Sequence, residues 1–106
     1  MLIRMNEGNG PIYDLEYMKR IIIQVISTYD VDRAYIFGSY ARGDRNENSD
    51  VDIRIDADKL RTFDLCGLTV RLERALEREV EVIPTDCMSK EFLDSIREEE
   101  VMVYER

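Results

Sequence analysis

Histidine is absent from this 106-residue sequence, and that absence removes whole classes of chemistry. Nucleophilic catalysis of the Ser-His-Asp or Cys-His kind needs an imidazole to take the nucleophile's proton, and His-ligated metal sites are excluded with it. Cysteine is scarce as well. Cys66 and Cys87 stand apart, with no CxxC spacing and no secretory leader, so neither a disulfide nor a zinc site is expected and both read as free thiols. Chemistry in this chain must rest on carboxylates, hydroxyls and backbone amides.

Basic residues are in deficit. Fifteen Lys and Arg stand against 23 Asp and Glu, a net charge of −8. Affinity for a nucleic-acid backbone comes from clustered Lys and Arg, so direct nucleic-acid binding is not expected. Long apolar runs are missing too: the longest, Ile21 to Ile26, is broken at Gln24 and falls well short of the ~18 residues of a membrane span. The first residues show no basic stretch leading into an apolar one, and a cytoplasmic protein is expected. With 44% hydrophobic and 36% charged residues, the chain can build one modest core, so a single domain over residues 1–106 is expected. Residues 1–12, which carry Gly8, Gly10 and Pro11 and little periodicity, read as a loose lead-in.

What is present is a set of regular patterns. Leu15, Met18, Ile22, Val25, Ile26 and Tyr29 recur at three- and four-residue spacing, which predicts an amphipathic helix over 14–29 with Asp14 as its N-cap. Arg33 to Phe37 is a short apolar and aromatic run that stops at Gly38, as a buried strand ending in a tight turn would. Ser39 to Arg42 can open a short helix. From Asp50 to Asp56 the alternation is strict, with Val51, Ile53 and Ile55 on one side and Asp50, Asp52, Arg54 and Asp56 on the other, which predicts a half-buried strand with an acidic open face. Phe63, Leu65, Leu68, Val70, Leu72, Ala75 and Leu76 predict a helix over 62–78, and Glu79 to Ile83 a strand stopped by Pro84. Ser89 caps a last helix through Glu99 with Phe92, Leu93 and Ile96 inward, and Val101 to Tyr104 add an edge strand. This order implies an α/β or α+β fold, a small mixed sheet with helices on its apolar face.

The open face carries the candidate site. Asp50 and Asp52, two apart on a strand, point to the same side at a spacing of about 6 to 7 Å. Two such carboxylates can share hard cations such as Mg²⁺, which take oxygen ligands and leave positions for substrate phosphates. Glu81, mid-strand between Val80 and Val82, can reach the same place from a neighbouring strand, as a third ligand or as the base for an attacking hydroxyl. Gly38 and Ser39 close one strand and open a helical turn, where backbone N–H groups and the Ser39 hydroxyl can meet a phosphate. Arg42 and Arg45 can balance a triphosphate, or equally make surface ion pairs.

Gly38-Ser39-Tyr40-Ala41-Arg42-Gly43, with ten residues between Ser39 and Asp50 and then Asp50-Val51-Asp52, resembles the GS-x10-DxD signature of the DNA polymerase beta-type nucleotidyltransferases. Within that superfamily the chain is most similar to the minimal nucleotidyltransferases, over about residues 14 to 104. The resemblance implies a polymerase beta-like fold, Gly38 and Ser39 on the nucleotide phosphates, and Mg²⁺ on Asp50 and Asp52. Glu81 falls where the family usually carries a third acid, most often Asp. Many minimal nucleotidyltransferases are antitoxins that transfer AMP from ATP to a tyrosine of a HEPN toxin, and the resemblance implies that role here. A non-catalytic antitoxin that blocks its partner by binding, and a nucleotidyltransferase acting on a small molecule, are the alternatives.

Several acidic and aromatic residues read as structural. Tyr40 reads as packing rather than a base-stacking platform, Asp56 and Asp58 as solvated acids continuing the open face, and Glu98 to Glu100 as an exposed helix end. The stretch from Asp44 to Ile55 lacks the glycine and the final glutamate of a calcium loop.

Overall fold

The computed structural model describes residues 3–5, 11–44 and 50–106, with side chains from residue 14 onward. Helix α1 (Leu15–Ile26) begins where its sequence says it should: the Asp14 carboxylate accepts the Tyr17 N–H at 2.8 Å, a cap worth about 1 kcal/mol. Its buried residues Met18, Ile22, Val25 and Ile26 form one stripe. Helix α3 (Thr62–Leu76) buries Leu68, Leu72 and Leu76 at four-residue spacing and ends at Glu77, a left-handed residue with φ 56°. Of its other apolar residues, Phe63 and Val70 face solvent, so the seven apolar positions define a narrower buried stripe than their number suggests.

Four strands, β3 (Arg33–Phe37), β4 (Val51–Asp56), β5 (Val80–Pro84) and β6 (Val101–Glu105), form a mixed sheet in the order β5-β4-β3-β6. β3 runs antiparallel to both β4 and β6, while β4 and β5 are parallel. Ala34, Ile36, Val51, Ile53, Ile55 and Val103 are buried together with the stripes of α1 and α3, which places both long helices on one face of the sheet. Burying these aliphatic side chains, at roughly 1.5–3 kcal/mol each, is the main force holding the sheet to the helices.

The lead-in is not wholly loose. Two strands, β1 (Ile3–Met5) and β2 (Pro11–Tyr13), pair antiparallel as a separate two-stranded sheet. Strands of three residues are too short for alternation to register in sequence. The short helix α2 (Ser39–Arg42) follows β3, and α4 (Lys90–Ile96) is capped by Ser89, whose hydroxyl accepts the Phe92 N–H. α4 meets the opposite side of the sheet through Phe92, which packs edge-on against Phe37 with ring centroids 5.7 Å apart. The helix stops at Ile96, three residues earlier than its sequence suggests, and Glu99 and Glu100 both return their N–H groups to the Ile96 carbonyl.

Candidate active site

Strand pairing builds the site. In the β3–β4 ladder Phe37 lies opposite Asp52, and in the β4–β5 ladder Asp52 lies opposite Glu81. Directly paired residues share a face, so Phe37, Asp52 and Glu81 stand on the side away from the core, and the Gly38 turn begins one residue beyond Phe37. The turn and the acids, distant in sequence, become neighbours through ladder register alone.

Gly38 has φ 77° and ψ −153°, a combination open essentially to glycine only. A Cβ at this position would collide with Oδ2 of Asp52. The turn therefore approaches the Asp52 carboxylate as closely as a backbone can, and α2 rises directly from it. Tyr40 is buried in the core and fixes the short helix by packing, as its sequence context indicates. Arg42, at the end of α2, is exposed and pairs with Asp44 at 3.2 Å and with Glu99 at 3.3 Å. Arg45 lies outside the described residues.

The acids repel one another. Asp52 is half-buried, and its carboxyl is pushed up to about 6, first by burial and then by the charges of Glu81 and Asp50, with Glu99 adding and Arg42 opposing. Ionising Asp52 at neutral pH therefore costs free energy that a nearby cation would return. Asp50, just before β4, and Glu81 line a shallow acidic concavity with Glu73 and Glu79. The donors are all oxygens, the set that suits Mg²⁺. Among the described residues no three acidic side chains are already gathered at metal-holding distance. Phosphate oxygens and water would complete the shell, as is usual for Mg²⁺.

Four residues matter here that the sequence reading placed elsewhere. Arg54, read as part of an open acidic face, is buried; it stacks over the Tyr35 ring at 4.0 Å and grips Glu100 through Nε at 3.0 Å and Nη2 at 2.8 Å. Glu99 and Glu100 are correspondingly not an exposed helix end: the Glu99 carboxylate accepts the Gly38 N–H at 2.8 Å. Asp56 is not simply solvated either, since Arg33, Arg54 and Thr85 all bond it. The available signal was Arg54 itself, a lone cation among acids on a strand face that needs a carboxylate from elsewhere once buried. Cys66 and Cys87 are free and exposed, and no described helix is long and apolar enough to cross a membrane.

Comparison with known proteins bears on this arrangement. The family model "Polymerase beta, Nucleotidyltransferase" matches residues 20–106. A Methanocaldococcus jannaschii protein named "Putative protein adenylyltransferase MJ0435" is 36% identical over 91 residues, spanning 85% of this chain and 98% of its own. A chain from the complex of tri-AMPylated Shewanella oneidensis HEPN toxin with MNT antitoxin superposes with a TM-score of 0.68 at 19% identity, over 86% of this chain and 72% of that one. A structure described as a "putative minimal nucleotidyltransferase" gives a TM-score of 0.72 at 24% identity, over 82% and 90% of the two chains. At these identities the two structures speak for the fold, and it is the fold expected from the signature.

Proposed function

Since this chain belongs to the polymerase beta nucleotidyltransferase family, we propose that it is the antitoxin of a HEPN pair and moves AMP from ATP to a tyrosine hydroxyl of the toxin. That it is a nucleotidyltransferase follows from the family; the nucleotide, the acceptor and the need for Mg²⁺ are our reading. The observation that carries it is the contact between a glycine-only turn and Asp52, which sets the start of α2 against a cluster of like charges. An adenylyltransferase name on the archaeal relative and the AMPylated toxin in one structural neighbour favour AMP and a protein acceptor.

In this reading Ser39 and the Gly38 turn receive the triphosphate, and Arg42 offsets its charge. Asp50 and Asp52, with Glu81 as the third acid, would hold Mg²⁺, which would supply charge neutralisation on the phosphates. The acceptor oxygen attacks the α-phosphorus, the bond to the pyrophosphate oxygen breaks, and the hydroxyl proton passes to a carboxylate of the cluster, for which Glu81 is placed at the open edge. Line-up of attacking and leaving oxygens and charge stabilisation together contribute most of the rate, because phosphoryl transfer asks little covalent chemistry of the protein. No large acceptor cleft is required when the acceptor is a folded partner that brings its own docking surface.

Incubating the chain with Mg²⁺, labelled ATP and a HEPN toxin, then weighing both proteins intact, tests this directly. The toxin gains the mass of AMP, and the gain disappears with Asp50→Asn, Asp52→Asn. Tight binding with no mass gain from any of the four triphosphates would instead mean that the antitoxin acts by occlusion.

A further inference from the structure

We infer that Glu99 is a positioning residue for nucleotide binding: it holds the Gly38–Ser39 turn and Arg42 in the arrangement that receives the triphosphate. This rests on the nucleotidyl-transfer reading above. One oxygen of Glu99, Oε2, accepts both the Gly38 N–H at 2.8 Å and Arg42 Nη1 at 3.3 Å. The two groups lie at opposite ends of α2, so a single carboxylate ties the start of the turn to its cation. The bond restrains Gly38, whose backbone sits in a conformation open essentially to glycine.

Glu99 is itself anchored. Its neighbour Glu100 is gripped by two nitrogens of Arg54, which is stacked on Tyr35 and bonded to Thr85. Two successive glutamates are thereby fixed, one to the centre of the sheet and one to the turn, across sequence separations of 46 and 61 residues. The Glu99 side chain is only 23% exposed, so water competes weakly for its bonds. A carboxylate oxygen aimed at a backbone amide and a guanidinium at once fixes the geometry of the turn between them. Holding a binding group in place before the ligand arrives saves ordering cost at binding.

Two variants separate the roles. Glu99→Gln keeps an acceptor oxygen for the Gly38 amide and drops the charge; Glu99→Ala removes both. In the ligand-free chain, hydrogen exchange at the Gly38 amide should accelerate at least tenfold in Glu99→Ala and much less in Glu99→Gln, with exchange in β4 and α3 unchanged. The dissociation constant for Mg²⁺ with a non-hydrolysable ATP analogue should rise about tenfold or more in Glu99→Ala and be largely restored in Glu99→Gln. Unchanged exchange at Gly38 would overturn the inference, and so would nucleotide binding in Glu99→Ala equal to or tighter than wild type, the latter showing that Glu99 competes with the phosphates. A wild-type chain that binds no nucleotide while its Gly38 amide still responds to Glu99→Ala would sink the nucleotide reading itself, and with it the positioning role.

Discussion

Asp52 and Asp56 lie on the same face of β4, four residues apart, yet their surroundings are opposite. Burial works against ionisation of Asp56 too, but the Thr85 hydroxyl and the Arg33 and Arg54 guanidiniums outweigh it, and its carboxyl is lowered. Asp52 meets burial and then further acids, and rises to about 6. One end of the strand is electrostatically satisfied and the other is left in debt. A satisfied acid holds structure together. An acid held among like charges is poised to bind a cation or a proton, which is the pattern of functional sites.

The contrast can be broken most forcefully at the unsatisfied end. Asp50→Asn, Asp52→Asn should lower AMP transfer by about 10³-fold or more, the order expected when charge stabilisation of a phosphoryl transfer is removed; Asp56→Asn should change it several-fold at most. Gly38→Ala should cost roughly 10²-fold in transfer, since displacement of a binding group by an ångström has that effect. It should also cost about 1–3 kcal/mol of stability from backbone strain. Initial rates and denaturant unfolding check both.

Stability separates the two acids with opposite signs. Asp52 binds a proton more readily folded than unfolded. Its favourable contribution is therefore present below the usual carboxylate range and lost as pH rises through about 6. Asp52→Asn should accordingly stabilise the chain at neutral pH, by about 1–2 kcal/mol after allowing for solvent screening, and the gain should vanish at about pH 4. Asp56, with a lowered carboxyl, contributes above the usual carboxylate range and loses its contribution as pH falls further. Asp56→Asn should destabilise at neutral pH by about 1 kcal/mol. Urea melts at the two pH values measure all four quantities. The smallest change is expected at the end of α3: Glu77→Gly relieves a left-handed residue and should add about 0.5–1 kcal/mol without altering transfer.

The elements were legible where the signal is local. Asp14 capping α1, the alternation of β4, the stop at Gly38 and the Ser89 cap all depend on residues within a few positions of one another, and each is found where the pattern puts it. The segments that carry the candidate site were legible too, since the Gly38 stop and the Asp50 to Asp52 alternation are local patterns, and two ladders then set Phe37, Asp52 and Glu81 side by side. What escaped was long-range: Arg54 with Glu100, and Gly38 with Glu99, meet because α4 stops at Ile96 and the chain turns back over the sheet. A run of three glutamates gives no hint of this, since the same run on a helix three residues longer would be solvated. Phe63 escaped for the opposite reason, an apolar residue at a helix start that faces water.

The most direct test of the contrast is a titration of Mn²⁺, as a paramagnetic substitute for Mg²⁺, into the chain with ATP, comparing wild type, Asp50→Asn with Asp52→Asn, and Asp56→Asn. The account requires nucleotide-dependent Mn²⁺ binding in the wild type and in Asp56→Asn, and its loss in the double variant. Equal binding in all three, or loss in Asp56→Asn alone, would contradict the assignment of the unsatisfied end of β4 as the active one.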